Sequence, residues 1–286
     1  MRIGINDDFD LDKIIASGQC FRAGRLQDGY ARFITGSHVL RMKEKEIEKK
    51  IYDVSCDSRE WETVWHPYFD LSRDYSRIRI LCKGKMQYID HAMEFGKGIR
   101  ILSQDPWEML VSLIISQRKS IPAIRNCVDT ISHNWGRMMM DGCEPVYSFP
   151  NPEELSAATD EALRECALGY RAPYVLDAVR KVLSGEVDLE ALSDQNDEAL
   201  LTSLQKIHGV GIKVASCVAL FGYGRMAAAP IDVWIERAIR DNCGGQSPFQ
   251  MFGEYAGMIQ QYMFFYERET TKLKKKVIKE SDDNKN

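Results

Sequence analysis

The sequence lacks three features that would each point to a particular class of protein. Its eight cysteines include no Cys-x-x-Cys pair, and zinc and iron–sulfur sites usually draw on such close pairs. No apolar run approaches the roughly 18 residues that span a bilayer, and residues 1–20 show no signal-peptide pattern. We therefore expect a cytoplasmic protein with reduced cysteines, no disulfide and no metal.

The chain also lacks an excess of basic residues, since its formal net charge is −4. Nucleic-acid binders usually carry a basic surface, because neutralising phosphates dominates their affinity. An acidic total does not exclude a basic groove, since it says nothing about how the charge is distributed. The charge is thus mild evidence against a nucleic-acid partner.

The first third of the chain favours β-strands. Short β-prone runs occur at residues 20–22, 30–35 and 38–42, and Asp28-Gly29 and Gly36-Ser37 separate them. Such dipeptides close tight hairpins, because glycine tolerates positive φ. The pattern predicts an antiparallel meander, followed over residues 44–95 by a mixed segment with candidate helices at 46–52 and 75–83.

Helix signals dominate from about residue 105. Asp105-Pro106-Trp107-Glu108 combines an N-cap, a proline at the first helical position and a glutamate three residues after the cap, and Asn151-Pro152-Glu153-Glu154 repeats this chemistry. Further helices are predicted near 121–134, 160–167, 172–184, 197–206, 212–222, 232–241 and 249–268. We predict an α+β protein with domains at 1–98 and 99–268 and a charged, frayed tail at 269–286.

One segment carries the strongest functional signal. Two helical stretches within residues 200–222 flank Gly209-Val210-Gly211, and Lys213 follows. Glycines at these positions permit positive φ and a close approach to a ligand, and the free N–H groups of the second helix can bind a phosphate. An ordinary turn between two helices is the alternative for the glycines alone.

This hairpin, followed by a Gly/Pro-containing loop and Pro230-Ile231-Asp232-Val233, resembles the helix-hairpin-helix glycosylase superfamily. The resemblance implies that Lys213 is the nucleophile of a bifunctional member and that Asp232 is the catalytic carboxylate. A carboxylate stabilises the positive charge that develops on deoxyribose, and an amine forms a Schiff base with it. A helix N-terminus favours the neutral amine that the attack needs. Taken alone, Lys213 would be a surface lysine and Asp232 an N-cap.

Further segments resemble 8-oxoguanine DNA glycosylase/lyases in particular. Ser17-Gly18-Gln19-Cys20-Phe21-Arg22 is similar to the N-terminal motif of that family, in which the glycine carbonyl accepts a hydrogen bond from N7–H of the lesion. Normal guanine lacks this proton, so the acceptor would be left unpaired. By the same resemblance the damaged base contacts Cys217, Gln260 and Phe264. The alternatives are a turn glycine, a small buried hydrophobe and a core aromatic.

The resemblance also implies DNA contacts outside the base pocket, at Gln117, Tyr170, Arg171, Gly209, Gly211 and Trp234. Gln117 would fill the gap left by the flipped nucleotide, Tyr170 would wedge beside the estranged base and Arg171 would recognise it. Pro122 stands where the eukaryotic enzymes have an arginine that helps demand cytosine, which predicts weaker selectivity for the opposite base, and Trp234 stands where they have a histidine that contacts a phosphate. They favour the bacterial, clostridial-like branch.

The function implied is base excision repair: flipping and excision of 8-oxoguanine from duplex DNA, then β-elimination, by a monomer that needs no cofactor. The fold implied is an antiparallel, TATA-binding-protein-like sheet domain packed on a helical domain. One alternative is a helix-hairpin-helix glycosylase for alkylated bases, against which Lys213 argues. Another is a non-catalytic helix-hairpin-helix DNA-binding protein.

Overall fold

A computed structural model of the protein describes residues 1–45 and 50–283, with side chains to residue 275. The strands are β1 (Arg2–Gly4), β2 (Ala23–Arg25), β3 (Ala31–Thr35), β4 (His38–Glu44), β5 (Ile51–Val54), β6 (Met138–Asp141) and β7 (Glu144–Tyr147). The helices are α1 (Leu11–Ala16), α2 (Ser58–Glu60), α3 (His66–Tyr68), α4 (Tyr75–Cys82), α5 (Gln87–Phe95), α6 (Pro106–Ser116), α7 (Ile121–Trp135), α8 (Pro152–Leu155), α9 (Asp160–Glu165), α10 (Ala172–Leu183), α11 (Asp197–Leu204), α12 (Ile212–Phe221), α13 (Val233–Asn242) and α14 (Ala256–Asp283). This is the predicted α+β class.

The chain forms two compact units that interleave along the sequence. The sheet unit comprises Met1–Asn6, Gly18–Arg73 and Ile101–Arg225, and the long-helix unit comprises Asp7–Ser17, Asp74–Arg100 and the chain from Met226 onward. The prediction places the domains one after the other, at 1–98 and 99–268. The two units interleave instead, because α5 from the first third of the chain packs on α14 from the last third.

The sheet unit contains a five-stranded sheet in the order β1-β5-β4-β3-β2, antiparallel throughout. Alternate residues of β3 and β4 are fully buried, as Phe33 and Leu40 illustrate. The predicted meander is confirmed for β3 and β4, whereas β2 begins at Ala23, after the predicted run at 20–22. The helix predicted at 46–52 is wrong at its end, because Ile51 and Tyr52 pair with β1; residues 46–49 lie outside the described residues.

A second, two-stranded sheet in the same unit was not predicted. Strands β6 and β7 pair in register around a tight turn, with Asp141 opposite Glu144. Gly142 in that turn has φ +64°, which glycine adopts without strain. The Asp141-Gly142 dipeptide was therefore the available signal for this hairpin.

The predicted helix starts of the sheet unit are confirmed at atomic detail. Asp105 caps α6, its carboxylate accepting a hydrogen bond from the Glu108 N–H at 2.7 Å. Asn151 and Glu154 form a reciprocal capping box at α8. Helix α12 packs against α6 and α11. The turn between α11 and α12 therefore joins two helices that pack against each other.

Helix α14 dominates the long-helix unit, where it packs on α5 and α13. It continues to Asp283, so the end predicted at 268 and the frayed tail at 269–286 are wrong for the backbone over 269–283. Lysine and glutamate are good helix formers, and Glu269 and Lys272 form an ion pair at 2.7 Å across one turn. Among the described residues, no helix has both the length and the apolar character needed to cross a membrane.

Candidate active site

The predicted hairpin is present in the sheet unit, between the end of α11 at Leu204 and the start of α12 at Ile212. Its two glycines differ. Gly209 has φ +81°, and a Cβ atom there would collide with the ring of Tyr174. Gly211 has φ −87°, so its predicted positive φ is wrong; it is the exposed residue directly before α12, with open space around it.

Helix α10 supports this hairpin from one side. The Asp177 carboxylate accepts a hydrogen bond from the His208 N–H at 2.8 Å, and the rings of Tyr174 and His208 meet edge to face at 4.6 Å. Burial would raise the pKa of Asp177, but the bonds from the His208 N–H and from Arg180 and Lys181 outweigh it and lower the pKa. The carboxylate therefore stays ionised and holds the turn in one conformation.

Lys213 and Cys217 lie on α12, as predicted, one helical turn apart on the same face. Lys213 is the second residue of the helix and is half-buried. Among the side chains that the structure describes, none forms an ion pair with Lys213, so its amine is not held by a carboxylate. Cys217 is buried, at 5% exposure.

Three of the predicted DNA contacts form a network in the sheet unit. The Gln117 side-chain amide donates to the Gly209 carbonyl at 3.1 Å, and the Gln117 carbonyl accepts from the Arg171 guanidinium at 2.9 Å. Arg171 also donates to the Leu168 carbonyl and is buried, so its donors serve the protein backbone. The Arg171 guanidinium lies over the Tyr170 ring, 4.3 Å from its centroid, and Tyr170 as a residue is 46% exposed.

The segment that begins at Gly18 is anchored on its C-terminal side. Gly18 has φ +86°, in the region that favours glycine. Gln19 follows it and is buried, with its side-chain carbonyl accepting from the Leu102 N–H at 2.8 Å and its backbone carbonyl accepting from the Gln104 side chain at 3.0 Å. The backbone next to the predicted lesion reader is thus rigidly held.

Asp232 and Trp234 lie at the start of α13, in the long-helix unit. Asp232 is the N-cap, and its Oδ1 accepts from the Trp234 and Ile235 N–H groups, both at 3.0 Å. Asp232 therefore caps α13. Its second oxygen, Oδ2, accepts no hydrogen bond from the described part of the chain. The Arg237 guanidinium lies 5.4 Å from the Trp234 ring.

Gln260 and Phe264 lie one turn apart on α14. Gln260 is 4% exposed, and its Oε1 is buried with no hydrogen-bond partner among the described residues. A buried amide oxygen without a partner costs about 1–3 kcal/mol. A ligand that donates a hydrogen bond to this oxygen would remove that cost.

Sequence reasoning missed two residues that hold the hairpin, Tyr174 and Asp177. The i,i+4 spacing of Tyr170 and Tyr174 could have indicated a shared face, and their rings lie 6.0 Å apart. No local signal could have linked Asp177 to His208, because 31 residues separate them.

Family comparisons cover the chain from residue 2 to residue 247. Residues 2–110 match the 8-oxoguanine DNA glycosylase N-terminal domain, and residues 111–247 match the helix-hairpin-helix superfamily of base excision DNA repair proteins. A probable N-glycosylase/DNA lyase of Methanothermobacter thermautotrophicus is 28% identical over 229 residues, which are 70% of this chain and 72% of that protein.

Two solved structures are similar over nearly the whole chain. MBOgg1 in complex with a low-affinity DNA ligand is 35% identical, with a TM-score of 0.89 over 94% of this chain and 96% of that one. The Clostridium acetobutylicum 8-oxoguanine glycosylase/lyase, in complex with double-stranded DNA containing cytosine opposite the lesion, is 32% identical, with a TM-score of 0.87 over 95% and 98%. This likeness supports the clostridial-like branch. The chain belongs to the 8-oxoguanine DNA glycosylase/lyase family of the helix-hairpin-helix superfamily.

Proposed function

We propose that this protein is a bifunctional DNA glycosylase and abasic-site lyase that excises 8-oxoguanine from duplex DNA. The observation that carries the proposal is the position of Lys213. It lies two residues after Gly211 of the hairpin, stands in the first turn of α12 and pairs with no described carboxylate. A purely hydrolytic glycosylase needs no amine there, whereas a lyase requires one.

Recognition depends on replacing what the base loses when it leaves the helix, namely stacking and edge hydrogen bonds. Gln260 supplies a buried oxygen without a described partner, suited to the N–H groups on the Watson–Crick edge of a guanine. Phe264, one turn along α14, supplies the stacking face. The Gly18 carbonyl accepts the N7–H that distinguishes the lesion from guanine.

The reaction proceeds in two stages. The neutral amine of Lys213 attacks C1′ of the sugar as the bond from C1′ to N9 of the base breaks, and the base leaves with the proton that the amine loses. Asp232 Oδ2 stabilises the positive charge on the sugar. The ring then opens to a Schiff base between Lys213 and C1′. A proton passes from C2′ to solvent as the C3′–O bond breaks and the 3′ phosphate leaves, and water then hydrolyses the Schiff base and frees the Lys213 amine, so no cofactor is consumed.

Binding to the duplex uses backbone N–H groups and aromatic side chains. The N–H groups at the start of α12, next to Gly211, suit a phosphate. The exposed ring of Tyr170 wedges beside the estranged base, and Gln117 fills the gap once it leaves Gly209. Trp234 contacts the backbone. The enzyme acts as a monomer on chromosomal DNA in the cytoplasm, with weak selectivity for the opposite base.

Trapping with borohydride tests the proposal directly. Reduction of the Schiff base should cross-link the protein to duplex DNA containing 8-oxoguanine, and Lys213→Gln should abolish the cross-link while keeping lesion binding. The matched control is Lys206→Gln, which removes an exposed lysine from the other side of the hairpin. It should cross-link like the wild type.

Other outcomes would favour the rival functions. Release of alkylated adenine without cross-linking would identify a hydrolytic glycosylase, and duplex binding without any base release would identify a DNA-binding module. Cross-linking and normal cleavage by Lys213→Gln would show that another amine is the nucleophile.

A further inference from the structure

Two side chains of α14 bind the backbone immediately before Gly18. The Gln261 side-chain amide donates to the Ser17 carbonyl at 2.9 Å. The Arg268 guanidinium donates to the same carbonyl at 3.4 Å and to the Ala16 carbonyl with its other terminal nitrogen. These carbonyls end α1, where helix geometry leaves them without partners in the helix. Ser17 is fully buried.

The same guanidinium lies against the aromatic rings of α14. It is 5.2 Å from the centroid of the Phe264 ring and 5.8 Å from that of Phe265, both within the range of cation–π attraction. Glu269 accepts a bond from it at 2.9 Å and balances its charge. Arg268 therefore touches, within the long-helix unit, both the chain leading to Gly18 and the ring of Phe264.

Burial makes this arrangement specific to arginine. Arg268 is 6% exposed. A guanidinium presents five N–H donors in one rigid plane, so it can bind two adjacent carbonyls and stack on a ring at once, whereas a lysine ammonium is a compact point charge. Replacing arginine by lysine keeps the charge but cannot reproduce all three contacts.

We infer that Arg268 is a positioning residue for lesion recognition, which fixes the Ala16–Ser17 backbone that leads to Gly18 and lies against the Phe264 ring. The inference rests on the proposed function. Discrimination by one carbonyl requires that this carbonyl be placed to within about 0.5 Å. Gly18 directly follows the two residues whose carbonyls Arg268 binds, so these bonds fix the point from which its backbone continues. Loss of Arg268 should impair recognition of the damaged base more than chemistry on the sugar.

The test compares two activities of one full-length enzyme. Single-turnover excision of 8-oxoguanine requires recognition of the base, whereas cleavage at a preformed abasic site requires only the sugar chemistry. The ratio of the two rates should fall about tenfold or more in Arg268→Lys, since small misplacements near a reacting group have such effects. An excess of undamaged duplex should also compete better for the variant than for the wild type.

Two further variants make the result decisive. Gln261→Leu removes only the 2.9 Å bond to Ser17 and should lower the ratio in the same direction, by less. Arg240→Lys, at an exposed arginine of α13, should leave the ratio unchanged. Equal losses of both rates in Arg268→Lys would mean a merely structural role and overturn the inference. A wild-type enzyme that excises no 8-oxoguanine would instead overturn the proposed function.

Discussion

Glu108 of α6 should make the stability of this protein depend on pH. Its side chain is buried, and burial raises the pKa of its carboxyl from the usual 4.5 to about 7, although the nearby Arg22 opposes the rise. The carboxylates of Asp105 and Asp129 raise the pKa of Glu108 further, because like charges repel. Below about pH 7 this glutamate is therefore mostly protonated inside the sheet unit.

The sign of the effect follows from proton linkage. Between pH 4.5 and 7 the folded protein keeps a proton that the unfolded chain has lost, so the free energy of unfolding falls as the pH rises through this range. A pKa raised from 4.5 to about 7 corresponds to a loss of about 3 kcal/mol. The stabilisation that comes from the proton on Glu108 is complete below pH 4.5 and is lost above about pH 8.

Replacing Glu108 by glutamine should remove this dependence, because the amide has nearly the same shape and never ionises. We expect Glu108→Gln to match the wild type near pH 4.5 and to exceed its free energy of unfolding by about 2–3 kcal/mol at pH 8. Urea denaturation followed by tryptophan fluorescence at both pH values measures this difference. Glu161→Gln, at an exposed position of α9, is the control and should track the wild type.

The result that would refute the reasoning is a difference between Glu108→Gln and the wild type that is the same at pH 4.5 and pH 8. It would mean that Glu108 is already ionised in the folded protein at low pH. A variant less stable than the wild type at pH 8 would show that the carboxylate is needed to balance Arg22, contrary to the effect of burial.

Three substitutions at the site test its local geometry. Gly209→Ala should cost about 2 kcal/mol or more in thermal melts, because positive φ and the Tyr174 ring both oppose a Cβ. Gly211→Ala should melt like the wild type but bind duplex DNA more weakly. Equal melting temperatures of Gly209→Ala and Gly211→Ala would contradict the difference between the two glycines. Asp232→Asn should keep the α13 cap and the melting temperature while excision falls on the order of 100-fold; unchanged excision would leave Asp232 only its capping role.

Local chemistry explains which elements could be predicted. Asp105 and Asn151 mark the starts of α6 and α8 because a cap bonds N–H groups within three residues of itself. The helix prediction is wrong over β5 because one partner strand is remote: Ile51 pairs with Gly4, and Tyr52 pairs with Ile3. Pairing across the chain overrides local preference.

The sequence by itself determined the family, the starts of helices such as α6 and α8, and the candidate residues for the chemistry, because the motifs that carry them are local patterns. Only the tertiary structure decided that Gly209, and not Gly211, has no room for a Cβ atom, since the Tyr174 ring that packs against it comes from a distant helix. It also buried Arg268 beside the carbonyl of Ser17, 251 residues earlier in the chain. Such contacts depend on how remote segments pack, and no spacing within the sequence encodes them.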